Sequence, residues 1–584
     1  MQYPAPHYFL GPDHTHMLIR SFFYPVNCLL WQVQRKVMAI GYCMNNVNPQ
    51  SLGGSIHIVA LRSNGGIRFQ AEVMMKADLD NLINVFKKVS APLLLFLHTR
   101  LIHLALLPFF FIALMVLLPD FSLREINPDE GTHLIIAQLY HQGYEFISEI
   151  NFFHFPLFNV MLTGWFNLFG YELETGRVMV TLFAALLLWI LFELIQQQSG
   201  RIAAFTAVLL LLLSTVFLTA AASIMQALPF IALGLASLLV IRRTSSLHSG
   251  SVAVYVSALL MAMAMMVKLF AVLMIPGLLM VLACRPGGGR LILFWLTALM
   301  LFLLLLTWLI TPALFDFSLL EKSFRHLFVY RAQDQLMPDK TLLQIFLWNI
   351  LDFPVLVMAA IAVVRMVRKV SATSQSSSEI GVPVDPFPVA WLLCGVVLLL
   401  WLHPVWSHYY LMLLVPLVWL AAICVGDCVK RKTLSATRLW SIDGWLHQAT
   451  LAMILVLVLF LPLRIAHINS YFVKAGSGLD SQLLATLEPY GGSACLMMTD
   501  RPVYAFMADC TVPPEHSVTG SLWLKAGVHS EETYLRTIDL HRPQLVLLAR
   551  FIRLKKNLDS KLKQRGYKRI YSSENAWLYA RNPI

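Results

Sequence analysis

From residue 101 onward the chain is a succession of apolar stretches, and their length restricts what it can become. A helix needs roughly 20 apolar residues to cross the hydrocarbon layer of a bilayer. Such stretches fall at 101–119, 177–196, 203–220, 226–241, 251–267, 269–284, 291–311, 342–364, 388–402, 409–427 and 448–466. They predict an α-helical polytopic membrane protein of about eleven transmembrane helices. Composition agrees: 58% of residues are hydrophobic and 13% are charged, about half the ~25% charged share of a soluble domain. The 251–284 pair is short and divided only by Lys268. Phe155–Phe169 is apolar as well, and reads as a re-entrant or surface helix.

Charge orients the spans. The chain carries 44 Lys+Arg against 32 Asp+Glu, a formal charge of +12. The cations gather in alternate loops: Arg201; Arg242 and Arg243; Arg285 and Arg290; Arg365, Arg368 and Lys369; Lys430, Arg431, Lys432 and Arg438. Basic loops stay cytoplasmic. The positive excess therefore reads as topology in the plasma (inner) membrane, and no basic patch with interleaved aromatics suggests nucleic acid. The loop after the first span, 120–176, is acidic, with Asp120, Glu125, Asp129, Glu130, Glu145, Glu149, Glu172 and Glu174. It falls outside, and an odd number of spans puts residues 470–584 outside too.

Three regions flank or interrupt the membrane domain, 91–469. Residues 1–90 are polar and irregular, a cytoplasmic extension whose first apolar core comes too late for a secretory signal peptide. Within them, Ile56–Val73 predicts a hairpin about Asn64-Gly65-Gly66. Ala77–Val89 sets Leu79, Leu82, Ile83, Phe86 and Val89 on one face of an interfacial helix. Met74 or Met75 is an alternative start. Ser371–Pro386 is serine-rich and reads as a flexible cytoplasmic segment. Residues 470–584 are far more polar and predict a small extracytoplasmic α/β domain. Its strands are expected at Ala494–Met498, Gln544–Leu548 and Ala576–Tyr579, its helices at Glu531–Leu540 and Ile552–Lys563. Cys495 and Cys510 lie in this domain, where a disulfide and two buried thiols fit equally well. Cys424 and Cys428, four apart at a span end, read as packing residues. No P-loop, dinucleotide fingerprint or Cys/His metal spacing occurs, so neither a cofactor nor a metal is expected.

The polar residues beside the membrane are the candidates for chemistry. Asp129-Glu130 follows Asn127-Pro128 in the first outer loop. A carboxylate there can take a proton from an attacking hydroxyl; a solvated acidic loop is the plainer alternative. His154, ahead of Phe155-Pro156-Leu157, suits either an interfacial hydrogen bond or a lipid phosphate. Lys268 sits between two short apolar runs, where an ammonium is costly unless it faces a cavity, a partner or the headgroups. The outer loop Asp316–Lys340 holds Arg325, His326, Tyr330 and Arg331, and arginine grips phosphate bidentately. His403 and His408 flank the turn that leads into Tyr409, an arrangement that fits an interfacial aromatic belt better than a metal.

Taken together these residues resemble a known family. Asp129-Glu130, Ala137, Gly143, the segment HFPLFNVMLTGWFNLFG and Arg177 are similar in order and spacing to the first outer loop of GT-C glycosyltransferases. The resemblance is to the branch of the protein O-mannosyltransferases and the lipid A aminoarabinose transferase. Weaker similarity runs to about residue 425 through MQALPF, VKLFAVLMIP, the Arg331 loop and HYYLMLLVPL. Phe155 replaces the first proline of the family's Pro-Pro-Leu, and Gln226 stands where many relatives have Asp. The resemblance implies a polyprenyl-phosphate sugar as donor and a protein, lipid A or envelope glycan as acceptor, with inversion at the anomeric carbon. It implies Asp129 as general base or acceptor-orienting carboxylate with Glu130 beside it, and His154, Lys268, Arg325 and Arg331 at the donor phosphate. Arg177, His408 and Tyr409 would line the substrate cavity. A flippase of lipid-linked sugars and an inactive assembly subunit are the competing readings. No pair of Gly/Pro-broken spans near the midplane supports the first.

Overall fold

The computed structural model of the chain describes residues 105–118, 125–152, 155–244, 251–324, 341–373, 385–402, 405–430, 441–475, 478–492, 494–520, 524 and 529–581. The expected hairpin and interfacial helix, and residues 374–384 of the serine-rich segment, lie outside these residues.

The membrane part opens with α1 (Ala105–Leu117). Two helices of the first loop follow, α2 (Pro128–His141) and α3 (Leu157–Phe169). Then come α4 (Leu173–Ser199), α5 (Arg201–Leu212), α6 (Thr215–Ala221), α7 (Ala227–Arg243), α8 (Val252–Val267), α9 (Ile275–Ala283) and α10 (Gly288–Ile310). The second half holds α11 (Phe317–Phe324), α12 (Leu342–Trp348), α13 (Phe353–Thr373), α14 (Phe387–Trp401), α15 (Leu411–Lys430), α16 (Ile442–Leu459) and α17 (Leu461–Ala475).

Among the described residues, five helical segments are long and apolar enough to cross a membrane. They are Leu173–Ser199, Gly288–Ile310, Ile350–Lys369, Ser407–Lys430 and Ile442–Leu459, with a sixth if α5 and α6 form one span. The expected straight span at 203–220 is instead broken: α5 and α6 meet at 76°. Ser214 caps the new helix by accepting a hydrogen bond from Phe217 N–H. The stretch expected at 342–364 is likewise split, with α12 ending at Trp348 and α13 running on to Thr373. Apolarity in both places carried no signal for where the hydrogen-bond ladder stops. Between Phe155 and Phe169 the chain forms α3, 13 residues long and shorter than a span. Gly170, at φ 100°, closes it and turns the chain toward α4.

The bundle is apolar throughout, so burial alone separates its centre from its lipid-facing rim. The most apolar windows of α15 and α4 are 89% and 72% buried, whereas those of α10 and α16 are 22% and 11% buried. The rim of α10 presents Leu293, Met300, Leu301, Trp308 and Leu309 outward, as a hydrocarbon solvent requires. One end of the bundle is closed by ion pairs between helix ends. Arg243 meets Glu193 at 2.8 Å, Arg242 meets Asp385, Arg368 meets Asp443 at 2.8 Å and Lys369 meets Asp427 at 3.4 Å. Arg242, Arg243, Arg368 and Lys369, four of the cations of the basic loops, are thus all paired at helix ends.

After α17 the chain becomes a small α/β unit built from α18 (Ser481–Leu487), β1 (Met497–Thr499), α19 (Val503–Met507), α20 (Glu531–His541), β2 (Leu545–Leu548), α21 (Ile552–Gln564), β3 (Tyr567–Ser572) and β4 (Trp577–Arg581). The sheet order is β1-β2-β4-β3, with β1 and β2 parallel and the other pairs antiparallel. Two strands and both long helices fall where the sequence pattern puts them, and β1 begins three residues later than expected; β3 carries no clear signal, because YKRIYS is mostly solvent-facing and lacks a clean apolar alternation. Cys495, just before β1, and Cys510, just after α19, form a disulfide.

Candidate active site

The site starts from a helix cap. Asn127 is extended, Pro128 occupies the first turn of α2, and Asn127 Oδ1 accepts a hydrogen bond from Asp129 N–H at 3.0 Å. Glu130 Oε1 accepts in return from Asn127 N–H at 3.1 Å, completing a capping box. Asn-Pro-Asp-Glu is therefore a helix-start sequence as well as an acidic one. Successive residues on a helix diverge by about 100°, so the two acids cannot face the same way. Asp129 is exposed and Glu130 is fully buried.

Glu130 is occupied on every side. Arg177, also fully buried on α4, reaches it through Nε at 2.8 Å and Nη2 at 3.1 Å. Ile224 N–H adds a bond to Oε2 at 3.2 Å. This bidentate charge-assisted pair fastens α2 to α4 and to the turn after α6. In the structure, then, Glu130 and Arg177, expected at the reacting centre and in the substrate cavity, pair with each other and brace α2 against α4.

One turn beyond Asp129, on the same side of α2, lies His133. It is buried, and its Nδ1 is 2.8 Å from Asn159 Oδ1 on α3. Asn Oδ1 only accepts, so the imidazole donates from Nδ1. Burial holds His133 below the ordinary imidazole value; Lys268 pushes the same way, while Asn159, Asp129 and Glu130 push back. His133 is accordingly neutral near pH 7, and it stands within the fields of both Asp129 and Lys268.

Lys268 ends α8. Its backbone is extended, at φ −157° and ψ 126°, before a 3-10 stretch over Leu269–Met274. The ammonium lies 5.0 Å from the ring centre of Tyr409 and 5.4 Å from that of Phe270, a cation–π cradle. Phe270 meets Tyr409 edge-on at 5.0 Å, and His408 packs against Tyr409 at 4.6 Å. Lys268, His408 and Tyr409, selected separately from the sequence, therefore belong to one cluster. His154, Arg325, His326, Tyr330, Arg331 and His403 lie outside the described residues. His133 was missed, although its spacing of four from Asp129 was a readable signal. Among the described residues no group of three or more His, Cys, Asp or Glu could hold a metal ion.

The C-terminal unit closes over this loop. Gly131 backs directly onto Val503: a Cβ at Gly131 would lie 2.7 Å from Val503 N. Asn151 Nδ2 donates to Glu515 O at 2.9 Å, and Phe166 packs against Phe506 at 6.1 Å. Asp129 remains exposed.

Comparisons with known proteins agree with this architecture. Residues 154–312 match the family described as dolichyl-phosphate-mannose-protein mannosyltransferase. No curated protein matches the chain in sequence. The crystal structure of ArnT from Cupriavidus metallidurans in the apo state is 12% identical, with a TM-score of 0.53 over 85% of this chain and 100% of that one. The same protein bound to undecaprenyl phosphate gives 0.52 at 12% identity, over 83% and 99%. The archaeal oligosaccharyltransferase AglB from Archaeoglobus fulgidus, in complex with an inhibitory peptide and a dolichol-phosphate, gives 0.50 at 11% identity, over 83% and 74%. The chain thus shares its fold with these structures, and its residues 154–312 match the mannosyltransferase family model.

Proposed function

We propose that the protein transfers a sugar from a polyprenyl-phosphate carrier to an acceptor hydroxyl at the extracytoplasmic face of the inner membrane, inverting the anomeric carbon. The observation that carries this reading is the pairing of an exposed carboxylate on a braced helix with a cradled ammonium, both in the field of one buried imidazole. The acceptor oxygen attacks the anomeric carbon as the bond to the carrier's phosphate breaks. Asp129 takes the hydroxyl proton, and Lys268 faces the charge that grows on the leaving phosphate. A fixed cation aimed at developing charge stabilises a transition state without reorganising. Neutral His133, held by Asn159, adds no charge of its own to either.

Two further observations support the donor and the face. Structures similar to this one hold undecaprenyl phosphate in ArnT and a dolichol-phosphate in AglB. The Cys495–Cys510 disulfide fits an oxidising compartment, where soluble sugar nucleotides are not supplied. A protein, lipid A or another envelope glycan remains the acceptor class.

The test is Asp129→Asn. Expected is loss of transfer, read by mass spectrometry of envelope glycans and glycoproteins, with unchanged membrane insertion and unchanged thermal stabilisation by undecaprenyl phosphate. Lys268→Ala is expected to weaken that stabilisation. Full transfer by Asp129→Asn removes Asp129 from the chemistry.

A further inference from the structure

Two helix breaks meet the start of α17 at a cleft. One is the 76° bend between α5 and α6; the other is the step from α12 to α13 through a 3-10 turn over Ile350–Asp352. A break frees carbonyl oxygens from the hydrogen-bond ladder, and in an apolar bundle they need a donor. Arg464, buried on the first turn of α17, supplies it. Its Nη1 donates to Leu213 O at 3.4 Å and its Nη2 to Leu351 O, and Nη2 also meets Asp352 Oδ1 at 2.9 Å.

These contacts do not exhaust the guanidinium. Arg464 Nε is buried and has no acceptor among the described residues, which is costly for an N–H of a charged group. Thr215 and His467 line the same cleft. His467 lies three residues beyond Arg464, on the same face of α17, and is exposed at the mouth. Arg464 Nε, the Thr215 hydroxyl and the His467 imidazole can all donate, whereas Asp352, the carboxylate of the cleft, is already engaged by Arg464. Such a wall suits a group that only accepts, above all an anionic oxygen. About 290 Å³ of space lies within the cleft, its open mouth included. The cleft sits at the Phe353 end of α13, whereas the ion pairs of Arg368 and Lys369 sit toward its other end. Its surroundings are apolar: Trp348 lines it and is 56% exposed, and Leu347, Ile350 and Leu463 are likewise more than half exposed. Exposed apolar side chains on this bundle face hydrocarbon, and tryptophan marks the level of the headgroups.

We propose that this cleft binds a phosphate group, carried by a lipid at the membrane surface. Arg464 Nε, Thr215 and His467 receive the phosphate oxygens, and the apolar rim about Trp348 receives the greasy part of the molecule. The cleft shares no residue with the groups proposed for sugar transfer, and its occupation does not depend on the role of Asp129.

The test uses the purified full-length protein in detergent and follows the unfolding midpoint against ligand concentration. The probes are a short-chain phosphatidylglycerol, the diacylglycerol with the same chains, and inorganic phosphate at constant ionic strength. Expected is saturable stabilisation by phosphatidylglycerol and none by the diacylglycerol. His467→Glu sets a carboxylate at the exposed mouth and is expected to weaken the apparent affinity at least tenfold, with an unchanged midpoint in the absence of ligand. Arg464→Gln is expected to abolish binding but also to lower the ligand-free midpoint, since Arg464 ties the two breaks together. Asp352→Asn separates binding from bracing. It keeps an oxygen for Arg464 and removes the charge that competes for it, so the ligand-free protein melts earlier while phosphatidylglycerol binds at least threefold more tightly. An arginine that only braces the breaks predicts the lost stability without the gain in affinity, and that result overturns the inference. Lys268→Ala is expected to bind phosphatidylglycerol as wild type does. Saturable stabilisation by inorganic phosphate equal to that by the lipid assigns the phosphate to a soluble source and still supports the site. Equal stabilisation by the diacylglycerol, unchanged affinity in His467→Glu, or loss of binding in Lys268→Ala overturns it.

Discussion

Replacing Glu130 by glutamine is the sharpest probe of how the two adjacent acids divide their work. The change removes one charge and almost no volume. It leaves the Arg177 guanidinium fully buried on α4 without its counter-charge. Stranding one member of a buried ion pair costs about 3–5 kcal/mol. Glutamine still offers one oxygen to the donors that Glu130 serves from Arg177, Asn127 and Ile224, so its loss belongs at the lower end, ~3 kcal/mol. Glu130→Ala, which offers none, belongs at the upper end, ~5 kcal/mol. Asp129→Asn should behave in the opposite way. Asp129 is exposed, and an exposed substitution shifts stability by no more than ~0.5 kcal/mol, yet transfer should vanish. The assay is a pair of measurements on the same detergent-purified samples: the unfolding midpoint, and transfer well below that midpoint. Glu130→Met combined with Arg177→Met should regain most of the lost stability, because apolar pairs of similar volume replace buried ion pairs readily. A Glu130→Gln protein that melts like wild type but transfers nothing would refute the bracing role and return Glu130 to the reacting centre.

Three other outcomes are expected. Gly131→Ala drives a methyl against Val503 backbone; overpacking costs about 1–3 kcal/mol, and limited proteolysis should release the C-terminal unit sooner than in wild type. Reducing Cys495–Cys510, or replacing both with serine, frees a loop with a sequence separation of 15, which corresponds to ~3 kcal/mol and should lower the melting transition of that unit. Burial, with His529 alongside, depresses His516 to about 3, so the unfolded chain binds a proton that the folded chain refuses. Stability is then full above pH ~6.5 and falls by ~1.4 kcal/mol per unit as the pH drops from there toward the folded value; melts between pH 7 and 5 should show this slope, and His516→Phe should flatten it.

Much of this was legible in the sequence because it depends on averages over many residues. Apolar length separated the membrane domain from the C-terminal unit, and the clustered cations found the end of the bundle where Arg242, Arg243, Arg368 and Lys369 pair. What escaped depends on single side chains and on distance along the chain. Nothing near Glu130 announces that its partner is Arg177, or that Ile224 offers it a backbone N–H. The break at Leu213–Ser214 leaves no mark in apolarity. His133 was passed over because it lies within an apolar helix face, where a histidine draws less notice than two acids side by side. Lys268 and Tyr409 were each noticed, but only folding joins them.

The separation of Glu130 from its partners also fixes an order of manufacture. Arg177 lies 47 residues downstream and Ile224 lies 94 downstream. While the chain is being threaded into the membrane, the first loop has already been delivered before either partner has been made. Glu130 must therefore wait in water, as an ordinary solvated acid, until α4 and then the turn after α6 arrive. The charge that will be sealed inside the protein is the same charge that keeps the loop out of the lipid during that wait. Truncated products that stop before Arg177 should accordingly expose this loop to protease or to membrane-impermeant labels, and the nascent chain gains its rigid α2 only after α4 and the turn after α6 are in place.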